Sequence, residues 1–303
     1  MVNKLIRVMD LGFSAEKGEP IVWITGRGAD GERHHVEIEG TRPYAFVPKG
    51  EDIPDKDYII SVDDVAPEGT EYEGYDNLPL QKVTVKLPRH INSRSDNQPC
   101  LTDHIPKEFL YEGDIPYERR VSVDYGLSGY IRVPKGSRVH IQDVETDIAP
   151  SSVDNIEPRV MMADIEAQPP NLRGNREFQD FVDEANQPIT AITLYDSYSD
   201  EYLAIVLDRE DFVEPGEIRH YLEDHWGDHE LAEQFTEADM RLVQCEDEKA
   251  VLDTFIQEVE NKRPDLISGW NWLDFDHQYI INRLKRDEFS DITEHRLSDV
   301  GAV

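Results

Sequence analysis

The apolar pattern of this chain changes period once, and that change constrains the fold more than any other feature. In the first half, apolar residues alternate with polar ones in short runs, the mark of half-buried strands. In the second half an apolar strand and a hairpin give way to a helix–strand–helix pattern. Between them, residues 143–158 are polar and acidic and carry Pro150 and Pro158. Two such patterns call for two cores, and 303 residues suffice for two domains of roughly 150 each. We therefore expect a β-rich unit over 1–156 and an α/β layer unit over 157–303, a mixed α/β (α+β) chain.

Within the first unit, residues 4–48 read as a β-meander. Val22–Thr25 is a strand, Gly26–Gly31 supplies a turn, and His35–Glu39 alternates at period two. Tyr44–Pro48, Leu80–Leu87 and a run within Gly126–Pro134 are further strands, and Pro67–Tyr75 is a polar surface loop. In the second unit, Arg159–Glu166 is an apolar strand ending in two acids. Residues 188–195 and 201–207 form a hairpin about Asp196–Asp200. Residues 208–241 are acidic and carry no clear pattern. Val251, Leu252, Phe255, Ile256 and Val259 form one helical stripe within Glu246–Asn261, and Pro264 stops that helix. Leu266–Trp270 is a short strand and Asp276–Arg286 a second helix. There is no internal repeat.

Charge bears on the partner. Lys and Arg total 31 against 64 Asp and Glu, a net charge of −33, which ordinarily repels nucleic acid. The acids, however, are spread along the whole chain, and only 11 of the 31 basic residues are Lys. That composition suits a surface hydrated in concentrated salt, where the Debye length falls to about 3 Å and self-repulsion is screened. An ordinary acidic protein with an acidic docking face is the plainer alternative. With 38% hydrophobic and 9% aromatic residues, the chain is no disordered acidic tail. No apolar run is long enough to span a bilayer, and the N-terminus lacks the apolar stretch of a signal peptide, so a cytoplasmic location and no membrane partner are expected. Cys100 and Cys245 alone make neither a disulfide framework nor a cysteine-rich zinc site.

Two acidic motifs carry chemistry. Asp164-Ile165-Glu166 closes a hydrophobic strand, and residues i and i+2 of a strand share a face, so both carboxylates can meet one or two divalent cations. Alone the triplet says little: with 64 acids in 303 residues it is expected roughly 13 times by chance, mostly on solvated faces. The second motif, Asn271-Trp272-Leu273-Asp274-Phe275-Asp276, leaves a strand and opens a helix; its Asn-x3-Phe-Asp string is expected about 0.04 times. Asp276 as a simple helix cap is the alternative, which leaves Asn271 and the aromatics unexplained. Together the motifs suit two-metal phosphodiester hydrolysis with Asp164, Glu166 and Asp276 as ligands of two Mg²⁺ or Mn²⁺ ions. Phe275 and Trp272 would wall the site or touch a terminal base, with Asn271 beside them; both aromatics read equally well as core.

At this point the chain resembles a family B DNA polymerase of archaeal type, and with its acidic composition a haloarchaeal one. Asp164-Ile165-Glu166 resembles the first motif of the family's 3′→5′ proofreading exonuclease, and Ile267–Asp276 followed by Tyr279-Ile280 the second. Further likeness lies in Gly40–Val47, Val83–Ile91, Tyr111–Arg120 with its Asp-Ile-Pro segment, and Asp124–Leu127, so it covers essentially the whole chain. The resemblance implies an N-terminal β-rich domain and an RNase-H-like exonuclease domain acting on DNA, at a primer-template and its single-stranded 3′ end. It also implies a template-base pocket that senses uracil, at Pro43, Tyr44, Pro88, Ile91 and Arg120; packing of the β-domain is the alternative for those five. A sliding clamp is implied as a partner through regions this chain does not contain.

The chain departs from the family pattern. Ala167 follows the first motif where many relatives have Thr. The third exonuclease motif, Tyr-x3-Asp, does not follow the second before Val303. Tyr72-x3-Asp76 stands in the wrong order, and His295-x3-Asp299 comes too soon after Asp276. The polymerase palm is absent. We therefore expect an N-terminal portion of a polymerase (a truncated gene, a split subunit or a fragment), with weak or no exonuclease activity alone and full activity in the longer protein. Two other readings stay open: a DNA-binding module without catalysis, and a different exonuclease using His295 and Asp299. Arg119, Arg120 and Lys135 are the candidate basic contacts to DNA, with scattered surface charges as the alternative.

Overall fold

In the computed structural model, the described residues are 3–64, 79–92, 98–146, 148–150, 153, 155–167, 175–208, 220, 224, 239–292 and 294–297. The chain divides into two compact units, Met1–Glu157 and Pro158–Val303.

The first unit is built from local hairpins. β1 (Lys4–Glu16) and β2 (Glu19–Gly28) pair antiparallel through Lys17 and Gly18, both with positive φ, the two-residue turn whose twist matches that of a hairpin. Gly12 sits opposite Trp23, and a Cβ there would lie 2.2 Å from the indole, so only glycine fits beneath that ring. β3 (Arg33–Glu39) continues the meander; β7 (Tyr130–Val133) and β8 (Arg138–His140) close the sheet in the order β7-β1-β2-β3-β8. A second sheet has the order β4-β6-β5, from β4 (Tyr44–Pro48), β5 (Ile59–Asp64) and β6 (Leu80–Val85). Ile6, Val22, Ile24, Val36 and Ile38, together with Tyr117 and Val121 of helix α1 (Tyr117–Asp124), form one core. Ala45, Val47, Val83, Val85, Leu101 and Ile105 form another. The loop expected at Pro67–Tyr75 lies outside the described residues.

The second unit is a mixed five-stranded sheet. β9 (Val160–Ala167), β10 (Ile189–Asp196) and β11 (Glu201–Leu207) are antiparallel neighbours. β12 (Asp239–Cys245) joins β11 in parallel, and β13 (Leu266–Ser268) joins β9 in parallel, giving the order β12-β11-β10-β9-β13. Helix α2 (Asn175–Glu184) follows β9. Helix α3 (Glu248–Lys262) packs its Val251, Leu252, Phe255, Ile256 and Val259 stripe on the sheet. Asp247 caps it, accepting from Ala250 N at 2.8 Å, worth about 1 kcal/mol. It ends on the left-handed Arg263, one residue before Pro264. After β13 the chain makes one π-helical turn, Trp272–Asp276, then helix α4 (His277–Leu284). The helix expected to begin at Asp276 thus begins one residue later. Most of residues 208–241 lies outside the described set. Among the described residues no helix is long and apolar enough to cross a membrane.

Candidate functional site

β9 alternates strictly. Met161, Ala163 and Ile165 are buried in the core, whereas Met162, Asp164 and Glu166 are exposed on the opposite face. The strand is therefore buried on one side only, and both carboxylates share its open side. They stand there opposite Thr193 and Ala191 of β10.

Asp276 reaches the same strand from the other side in sequence. The β9–β13 ladder stops at Ser268 opposite Met162. Just beyond, Gly269 passes so close that a Cβ would lie 2.0 Å from the Ala163 carbonyl oxygen, which only glycine permits. Asn271 then takes a left-handed conformation (φ 64°) and its carbonyl accepts from Asp274 N and Phe275 N. The turn so formed swings Asp276 back to β9, where its Oδ1 accepts from Ile165 N at 3.1 Å. The carboxylate takes the strand donor that β13 leaves unpaired, and so sits at the residue between Asp164 and Glu166. Asp276 caps nothing: its own backbone is helical and its side chain makes no cap bond.

Asp276 is only 1% exposed, and its Oδ2 has no hydrogen-bond partner. Burial pushes its pKa above the ordinary value; the Ile165 N–H pulls it down, and the negative charges of Asp164 and Glu166 push it further up. Among the described residues, no three His, Cys, Asp or Glu side chains stand close enough to cage a metal ion. The three carboxylates are electrostatic neighbours without being a closed site. The donor set still fits a hard divalent cation, because every donor is a carboxylate oxygen and one is a buried oxygen with nothing to bind.

The sequence leaves both aromatics of the second motif open between wall and core. Trp272 is 8% exposed and belongs to the core. Phe275 is partly buried in a ring cluster, 6.2 Å from Phe181, 5.5 Å from Tyr279 and 5.6 Å from Phe178. Asn271 is exposed. The side chains that stand out at this turn are Trp270 and Leu273, which the motif reading passed over. Leu273 has no periodic signal, because a π-helical turn does not follow helical spacing.

Of the five pocket candidates in the first unit, Tyr44 and Arg120 meet directly, with the guanidinium 4.3 Å from the ring centroid. Lys82 Nζ lies 3.8 Å from the same centroid, and the Tyr44 hydroxyl donates to Asp124 at 2.8 Å. Burial and Asp124 push the Tyr44 pKa up to about 12 against the pull of Arg120. Arg120 is itself buried and donates to the Glu112 carboxylate at 2.9 Å and to the Glu112 carbonyl at 2.6 Å. It is therefore spent inside the protein rather than offered to a phosphate. Pro43 accepts from Val85 N, Pro88 opens a short 3₁₀ turn, and Ile91 is buried in the core of the smaller sheet. Arg119 and Lys135 are exposed. The backbone of His295 lies in a short 3₁₀ turn, Glu294–Leu297, while Asp299, Tyr72 and Asp76 fall outside the described residues.

The family model described as DNA polymerase family B, exonuclease domain, matches residues 109–302. The fold is similar to that of the family B DNA polymerase from the hyperthermophilic archaeon Pyrobaculum calidifontis, with a TM-score of 0.62 at 17% identity. That similarity covers 99% of this chain and 34% of the archaeal one. No curated protein matches the chain significantly. With the family match spanning most of the sequence, the chain belongs to the family B DNA polymerases, in their exonuclease domain.

Proposed function

We propose that the second unit is the 3′→5′ exonuclease of a family B DNA polymerase of which this chain is the N-terminal portion. Asp164, Glu166 and Asp276 would hold two divalent cations, Mg²⁺ or Mn²⁺. Bound there, such ions supply an activated water and stabilise the leaving oxygen of a phosphodiester. The chain's own residues contribute placement. β9 presents two carboxylates on one face, and Ile165 N fixes the orientation of the third. The observation that carries this reading is the buried, unpartnered Oδ2 of Asp276 beside those two charges. Such a group is costly unless a cation joins it.

The first unit is the β-rich, template-handling domain in this reading, with Tyr44 at the centre of the pocket and Arg120 as its internal support. DNA is the substrate, the location is cytoplasmic, and a sliding clamp would be met by parts of the polymerase beyond this chain. Titration of the 303-residue chain with Mn²⁺, read by electron paramagnetic resonance of the free ion, tests the site. Binding that Asp276→Asn weakens at least tenfold is expected; binding unaffected by that change overturns it. Trimming of a labelled single-stranded oligonucleotide is expected to be slow, because the third exonuclease motif is not in this chain. Rapid trimming abolished by Asp164→Ala would contradict that part. If the chain takes up DNA but no Mn²⁺, the non-catalytic DNA-binding module is the better reading.

A further inference from the structure

Trp270 is the most exposed large apolar side chain among the described residues, at 90%, and Leu273 is 73% exposed on the same turn. Large aromatic side chains are seldom left so bare without a partner. This one is not on a loose loop tip. Gly269, the residue before it, lies against the Ala163 carbonyl, and the Asn271 carbonyl and the Asp276 carboxylate pin the turn after it. The contacts that place Asp276 therefore also hold the indole out.

Asp164, Glu166 and Asp276 lie nearby in the fold. Among the described residues of the same unit, four basic side chains are paired with carboxylates: Arg159 with Asp196, Lys262 with Glu201, Arg283 with Glu248 and Arg296 with Glu260. Those four are not available to the phosphates of an arriving strand. What the turn offers instead is a flat, neutral π-face, on which any base can stack and which salt does not screen.

We propose that Trp270, backed by Leu273, is the stacking platform for an unpaired base of single-stranded DNA entering the carboxylate site. This rests on the exonuclease reading above and adds the residue that captures the strand and the kind of force it uses. Capture by stacking in place of phosphate contacts would let an acidic chain hold DNA in concentrated salt.

The test is fluorescence anisotropy of a labelled oligothymidylate with the full 303-residue chain, in EDTA, at about 0.2 M and about 2 M KCl. Trp270→Ala is expected to weaken binding about 5- to 100-fold at both salt concentrations, the range of one base–aromatic stack, while Trp270→Phe retains most of it. Unchanged affinity in Trp270→Ala overturns the proposal, as does an absence of DNA binding by the wild type or a wild-type affinity that collapses between the two salts. A change in self-association with unchanged DNA affinity would assign the patch to a protein contact and also overturn it. The Mn²⁺ titration is read separately, so a failed stacking platform and a failed nuclease site give different patterns.

Discussion

The two ends of helix α4 bury opposite charges and treat them differently. At its last turn, Arg283 is 5% exposed, and its guanidinium makes a fork with Glu248, 2.6 Å to each oxygen, with a further bond to the Ala185 carbonyl. Glu248 in turn accepts from Ile189 N. Just before its first turn, Asp276 is 1% exposed, with one oxygen on Ile165 N and the other on nothing. The two residues are seven apart and belong to one rigid element. The Arg283 end closes its charge within the protein and is architecture. The Asp276 end leaves charge uncompensated, and a fold tolerates that only where something else completes it.

The sharpest way to break this comparison is at the closed end. Glu248→Ala strips Arg283 of its forked partner, leaving only the half-exposed Glu288, and removes the acceptor of Ile189 N; it is expected to destabilise the chain by about 3–5 kcal/mol, read by urea unfolding. A cost below about 1 kcal/mol would mean that the pair is no more important than a surface one. Next in size is Gly269→Ala. Its Cβ has no room against the Ala163 carbonyl, so the turn must shift, at about 1–3 kcal/mol. Because that turn carries Asp276, Mn²⁺ affinity should fall in the same variant. Loss of stability with intact Mn²⁺ affinity would separate the seat from the site.

At the open end the sign reverses. Asp276→Asn keeps an oxygen for Ile165 N and removes a charge that burial and two neighbouring carboxylates disfavour. It is expected to be neutral or stabilising by about 1 kcal/mol in EDTA while abolishing cation affinity, the trade-off typical of a site residue. Destabilisation instead would put Asp276 in the same class as Arg283.

The sequence shows one half of this contrast and hides the other. The period-two pattern of β9 and the Asn-x3-Phe-Asp string are local, so Asp164, Glu166 and Asp276 stand out without any structure. What joins them does not. The Asp276–Ile165 bond spans 111 residues and depends on where the β13 ladder stops, which no spacing encodes. The aromatics show the same limit. From the sequence Trp272 reads equally well as a wall of the site or as core, and it lies in the core, while Leu273 beside it stands exposed, because a π-helical turn rotates its faces away from a 3.6-residue count. Arg120, which the sequence leaves open between a pocket position and packing of the β-domain, is bound by Glu112, a partner eight residues away in sequence.

The smallest expected effect is a pair of opposite pH slopes. Asp196 is buried, which alone would raise its pKa, but Arg159, Ser199 and Lys262 outweigh burial and hold it well below the ordinary 3.8. A carboxyl lowered in the folded state binds fewer protons there than when unfolded. Its stabilisation is complete above 3.8 and fades as pH falls through and below that value. Asp276 is raised in the folded state, where it therefore binds its proton more tightly than in the unfolded chain. Its effect runs the other way: stability is lost as pH rises from 3.8 through the raised value, and the loss is complete above it. Urea unfolding of the wild type, Asp196→Asn and Asp276→Asn between about pH 3 and pH 7 in EDTA reads both. The gap between wild type and Asp196→Asn should narrow towards acid. The gap between Asp276→Asn and wild type should widen from acid to neutral pH, with the variant the more stable. Slopes of the same sign would show that Asp276 is as well compensated as Asp196, and a compensated carboxylate in that position gives no reason to expect a cation.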